Sequence, residues 1–81
     1  MNARSDAAVA ALEAQADAAE QAMYDAHPRL AKDHKDDALA LLRRAADAAR
    51  RSGLDAEAAR LDARIENLIA VWDRQFRGVG Y

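Results

Sequence analysis

Arg50-Arg51-Ser52-Gly53-Leu54-Asp55-Ala56-Glu57 has the grammar of one helix ending and the next beginning. Two arginines in a last turn place positive charge at the negative end of the helix dipole. Gly53 can take the left-handed conformation past a helix end without a Cβ penalty, and Leu54 is then positioned to cover that end. Asp55 has the chemistry of an N-cap, and Glu57 adds negative charge to the first turn that follows. The octapeptide therefore predicts a tight αα-hairpin.

On the C-terminal side, Ala58, Leu61, Ile65, Leu68, Ile69, Trp72 and Phe76 fall on one face at about 100° per residue, with Arg60, Arg64, Glu66, Asn67, Arg74 and Arg77 off it. Val71 lies outside this face and is expected to be partly exposed. On the N-terminal side, Leu39, Leu42, Ala46 and Ala49 make one seam, and Ala38, Leu41, Ala45 and Ala48 make a second beside it. Two adjacent seams suit a helix with a neighbour on each side. The step Gly53-Leu54-Asp55-Ala56-Glu57-Ala58 is similar to the inter-helix step of a tetratricopeptide unit. The other signature aromatics, the closing proline and a second unit are missing, so it is read as generic hairpin grammar.

The first third of the chain carries Val9, Leu12, Ala16, Ala19, Met23 and Ala26 at alternating spacings of three and four, a further helical seam. Most of its knobs are alanines, which bury little area each, so this helix is expected to be the least anchored. Ser5 or Asp6 is the expected cap. His27-Pro28 interrupts the pattern, since proline disfavours the α region at the residue before it. Two readings are open: a loop over 27–33 with Asp33 capping the next helix, or Pro28 at the first position of a longer helix. The loop is favoured because it gives three helices of near-equal length. The expected fold is all-α, a single domain over 1–81. It is an up-down-up three-helix bundle with helices at about 6–26, 34–52 and 56–77 and flexible ends at 1–4 and 78–81. The tail Gly78-Val79-Gly80-Tyr81 is read as a loose end, with a short docking tag as the minority reading.

Composition agrees. Alanine supplies 23 of 81 residues, while glycine and proline together supply four, which favours helix. Cysteine is absent, which removes disulfides, thiolate metal sites and thiol chemistry. There is no charged-then-apolar leader, and no apolar run approaches about 18 residues, so a cytoplasmic protein without a membrane partner is expected. Net charge is −2, too small to impose a global field on partners. Its distribution is uneven: residues 1–26 carry one arginine against five acids, and residues 27–54 carry seven cations against four aspartates. An acidic first helix is thus expected to pair with a basic second one.

Three constellations bear on function. His27, Asp33, His34 and Asp37 are metal-ligand types in one segment, His34 and Asp37 being three apart on a helical face. The bundle metal patterns H-x-x-x-H and E-x-x-H are absent, so a solvated bend is favoured over a divalent-metal site and no cofactor is expected. Arg43, Arg44, Arg50, Arg51, Arg60 and Arg64 offer a basic patch near the hairpin tip. Interspersed acids and the lack of surface aromatics make a salt-bridged surface the better reading than nucleic-acid binding. The two serines fit cap and turn positions, there is no threonine, and the three glycines make no phosphate loop. The expectation is a protein without catalytic activity. The densest apolar patch joins Leu61, Ile65, Leu68, Ile69, Trp72 and Phe76 of the last helix with Leu41 of the middle one. The alanine-rich first helix is thin cover for that patch. The function expected is therefore protein–protein interaction, by self-association into a homo-oligomer or by docking a partner helix.

Overall fold

A computed structural model describes residues 3–76 of the chain, and side chains from residue 6 onward. It contains α1 (Ala3–Asp25), α2 (Pro28–Arg51) and α3 (Asp55–Gln75), running up, down and up, with no strand among the described residues. The Cα envelope measures 45 × 17 × 12 Å, the shape of rods laid side by side.

The hairpin turn closes as its residues predict. Gly53 has φ +75°. Its N–H donates to the Arg50 carbonyl at 3.1 Å, and the Leu54 N–H donates to the Ala49 carbonyl at 2.8 Å. This pair of bonds is the Schellman arrangement, which satisfies carbonyls that a helix end otherwise leaves open. Leu54 is buried, completing the apolar cover of the turn. Asp55 is not the cap. Leu54 occupies that position without a side-chain cap, its carbonyl accepting from the Ala58 N–H at 2.9 Å, while Asp55 and Glu57 supply first-turn negative charge.

At the other connection the structure takes the longer helix, so the expected loop over 27–33 is corrected. His27 sits at φ −57°, ψ 142°, the extended conformation that suits a residue before proline. Its Nδ1 accepts from the Arg29 N–H at 3.2 Å. Pro28 is tolerated at the first helical position because its missing N–H would have had no partner there. Asp33, Asp36 and Asp37 consequently lie within the body of α2 and cap nothing. Helix α1 likewise begins at Ala3, so Ser5 and Asp6 lie inside it and neither is its cap. The expectations for residues 1–2 and 78–81, the docking tag among them, lie outside the described residues.

The core is one cluster, and α2 supplies half of it: Ala31, Ala38, Leu39, Leu42, Ala45, Ala46 and Ala49 are buried. Val9, Ala16 and Met23 come from α1, and Ala58, Leu61 and Leu68 from α3. Both seams read on the middle helix are therefore used, one toward each neighbour. Small buried side chains let α1 approach α2 more closely, and over more of its length, than α3 does. The expectation that α1 is least anchored is corrected by this: alanine sacrifices area per residue but permits tighter helix approach. In contrast, no Cα of α1 comes within 8 Å of a Cα of α3 among the described residues. Helix α2 is the spine, and α1 and α3 meet only through long side chains.

Candidate functional site

The residues of the predicted docking patch separate into three environments. Leu61 and Leu68 are core residues, so neither belongs to the surface of the closed bundle. Ile65, Trp72 and Phe76 are partly buried and packed against that core. Ile69, one residue beyond Leu68 and about 100° round the helix from it, is 39% exposed. Leu41, also partly buried, sits about 120° round α2 from Lys35 and so does not share the flank that meets α3. Val71 is partly exposed, as its position off the apolar face implies.

The up-down-up order gathers the aromatics at one end, where α1 and α3 finish and α2 begins. The Trp72 and Phe76 rings stack at 4.6 Å between centroids, and Tyr24 meets Phe76 at 6.1 Å. The Lys35 ammonium lies 4.7 Å from the centre of the Trp72 ring, a cation–π contact across the α2–α3 boundary. Tyr24 and Leu30, 43% and 54% exposed, add apolar surface at this end.

Two cross-links mark the course of the α2–α3 groove: Lys35 on Trp72 at one end, and Arg50 on Asp62 at 2.7 Å toward the turn. Ile69 stands between them on the α3 side. Glu66 and Asp73, both exposed, join Asp62 in giving the α3 rim an acidic character. Lys32, Lys35, Arg43 and Arg50 give the α2 rim cations. Most of these cations are paired within the chain, Lys32 and Lys35 with Asp36, and Arg50 with Asp47 and Asp62, and Arg43 stands exposed beside them.

Between α1 and α3 lies a network that corrects the expected pairing of an acidic α1 with a basic α2. The cations that meet α1 belong to α3. Glu13 accepts two bonds from Arg60 at 2.7 and 2.9 Å and one from Arg64 at 2.7 Å. Arg64 also donates to Asp17 and, at 3.2 Å, to Glu20. Arg60 reaches back to Glu57 at 2.9 Å. Both ladders have the same offset, Glu13 to Arg60 and Asp17 to Arg64, because α1 and α3 run parallel and i, i+4 positions on each share a face. The Arg60 hydrogen bonds are the main cause that brings the Glu13 carboxyl from 4.5 down to about 2, with burial opposing and Arg64 assisting. Burial works against the charge on Arg64, but bonds to Asp17 and Glu13 outweigh it and its pKa is raised. A carboxylate held so low stays charged at neutral pH and keeps its bonds to both guanidinium groups.

This pairing takes Arg60 and Arg64 out of the predicted basic patch, and bonds to Asp47 and Asp62 take out Arg50, whereas Arg43, Arg44 and Arg51 are exposed and make no ion pair among the described residues. Of the metal-ligand candidates, His27 caps α2 through Nδ1, His34 is half-buried, and Asp33 and Asp37 are exposed. No group of three or more His, Cys, Asp or Glu side chains converges on a common point among the described residues. An open depression beside the turn is lined by Asp6, Asp55 and Glu57 with Ser52, Gly53, Leu54 and Ala56; its carboxylates make it unsuited to an anion. No described helix is long and apolar enough to cross a membrane. Sequence reading did not find the Glu13, Asp17 and Glu20 partnership with Arg60 and Arg64. The matched i, i+4 spacing of opposite charges on the first and third helices was the signal available. Comparison of the chain with known protein families, with curated proteins and with solved structures gave no match.

Proposed function

We propose that this protein is a non-catalytic helical interaction module of the cytoplasm that acts by self-association, a second copy occupying the α2–α3 groove. What supports this reading most is Ile69, a large apolar side chain 39% exposed in the middle of α3 with Trp72 and Ile65 beside it. Charge favours a second copy over an unrelated helix. A two-fold axis along the helices would set Asp62 and Glu66 of one copy near Arg43 and Arg50 of the other, in both directions at once, and so repeat between copies the kind of pair that Arg50 makes with Asp62 within one. Four helices would then enclose Ile69 and its counterpart as a small dry centre, with the charged rims around it.

The test is molecular mass by sedimentation equilibrium. The wild type is expected to show a concentration-dependent dimer. Ile69→Lys is expected to be monomeric with unchanged helicity, because a surface change of this kind usually alters folding stability by no more than about 0.5 kcal/mol. A wild-type monomer at concentrations up to about 1 mM, where even a −4 kcal/mol association is half complete, refutes the proposal.

A further inference from the structure

Helix α3 is attached in an unusual way. Its neighbour α2 holds it through the Schellman turn, through Leu54, Ala58, Leu61 and Leu68 in the core, and through the Lys35–Trp72 and Arg50–Asp62 cross-links. Its attachment to α1 has no close backbone approach. It includes the carboxylate–guanidinium bonds of Glu13, Asp17 and Glu20 with Arg60 and Arg64 and the contact of Tyr24 with Phe76. From this arrangement we infer that α3 is a hinged strap, which opens as a unit about Gly53 while α1 and α2 stay paired, and that the ion-pair clasp sets how often it opens.

Three observations point the same way. The backbones of α1 and α2 run close over more of their length than those of α2 and α3, so parting α3 breaks fewer close helix approaches than parting α1. Gly53, at φ +75° in the turn that joins α3 to α2, carries no side chain, so a change of backbone angle there meets no Cβ penalty. The clasp is partly within reach of dissolved ions: Arg60 and Asp17 are 47% and 60% exposed, while Glu13, Glu20 and Arg64 are 18–27% exposed. Charges in that setting are screened by salt far more than the apolar contacts of α1 with α2. Opening uncovers Leu61 and Leu68, so the clasp governs access to the sequestered part of the α3 apolar face. This inference is independent of the self-association reading.

Amide hydrogen exchange resolved by residue tests it, on the full chain at fixed pH. Salt is varied from about 0.01 M, where the Debye length is about 30 Å, to about 1 M, where it is about 3 Å. The amides of Leu61, Ile65 and Leu68 are expected to exchange roughly fivefold faster or more at high salt, while those of Met23, Leu42 and Ala45 hold their rates. Arg60→Gln with Arg64→Gln is expected to show the faster α3 exchange already at low salt, with no further salt effect. Arg44→Gln, at an exposed arginine outside the α2–α3 groove that makes no ion pair among the described residues, is expected to behave as wild type. Repeating the series at two protein concentrations separates protection by self-association, which depends on concentration, from the strap motion, which does not. If α3 exchange is insensitive to salt, or if all three helices respond together, the inference is overturned. The wild-type salt series decides the matter even if the double variant does not fold.

Discussion

Replacing Glu13 by glutamine keeps the size and most of the hydrogen-bonding geometry and deletes one charge. In the folded chain this carboxylate accepts a two-pronged bond from Arg60 and a third bond from Arg64. Its pKa falls from 4.5 to about 2. At about 1.4 kcal/mol per unit, the full shift corresponds to roughly 3 kcal/mol of linkage. Two facts reduce that figure. Arg60 is about half exposed, so solvent competes for it. Arg60 also keeps Glu57, and Arg64 keeps Asp17 and Glu20. The expected cost of Glu13→Gln at neutral pH and low salt is therefore about 1 kcal/mol, or a Tm lower by about 4–8 °C for a domain of this size. The sign of the pH dependence follows from the depressed pKa. Stabilisation by Glu13 is complete above 4.5 and is lost as pH falls toward 2, where the folded carboxyl takes up its proton. Thermal melts followed by circular dichroism at pH 7, 4 and 3 should show the gap between wild type and variant narrowing, and about 1 M salt should narrow it at pH 7. A gap that stays constant across this range, or no gap at pH 7, refutes the electrostatic account of the clasp.

Three further outcomes are expected. Gly53→Ala forces a side chain into the left-handed region at φ +75°; since its Cβ meets nothing, the cost is backbone strain of about 1–2 kcal/mol, measurable by chemical denaturation, and Gly53→Asn should cost less. Leu61→Ala should destabilise by about 2–5 kcal/mol while Ile69→Ala changes monomer stability by about 0.5 kcal/mol or less, because one side chain is fully buried and the other lies at the edge; equal losses in urea titrations would mean that the boundary of the α3 core is misplaced. His27→Ala removes the ring that accepts from the Arg29 N–H and should lower stability by about 0.5–1 kcal/mol, with amide exchange rising in the first turn of α2; unaltered exchange there would show that the cap contributes nothing.

Much of this fold is legible along the chain because its signals are local. Gly53 with Leu54 announces the turn, since a left-handed residue followed by an apolar one serves a helix end and little else. The two seams of α2 announce a central helix, and Leu61 and Leu68 announce the side of α3 that faces inward. Where a local signal was compatible with two structures, the reading failed. His27-Pro28 suits either a loop or the start of a helix, and the longer α2 prevails because it adds Ala31 to the buried seam at no cost in backbone donors. The docking patch was only half legible for a related reason. Periodicity groups Leu61, Leu68 and Ile69 together, but how far a neighbouring helix covers each depends on distances that no periodicity contains.

The partnership of Glu13, Asp17 and Glu20 with Arg60 and Arg64 belongs wholly to the tertiary structure. Residues 47 apart meet because α2 returns the chain so that α1 and α3 run parallel, their charged faces turned toward each other. Helix propensity, capping and amphipathic spacing act within a turn or two of chain, so the sequence alone determined three helices and their inward faces. Which helix stands closest to which, and which charges face each other across the gap, depended on how the buried alanines and leucines of all three helices pack around α2.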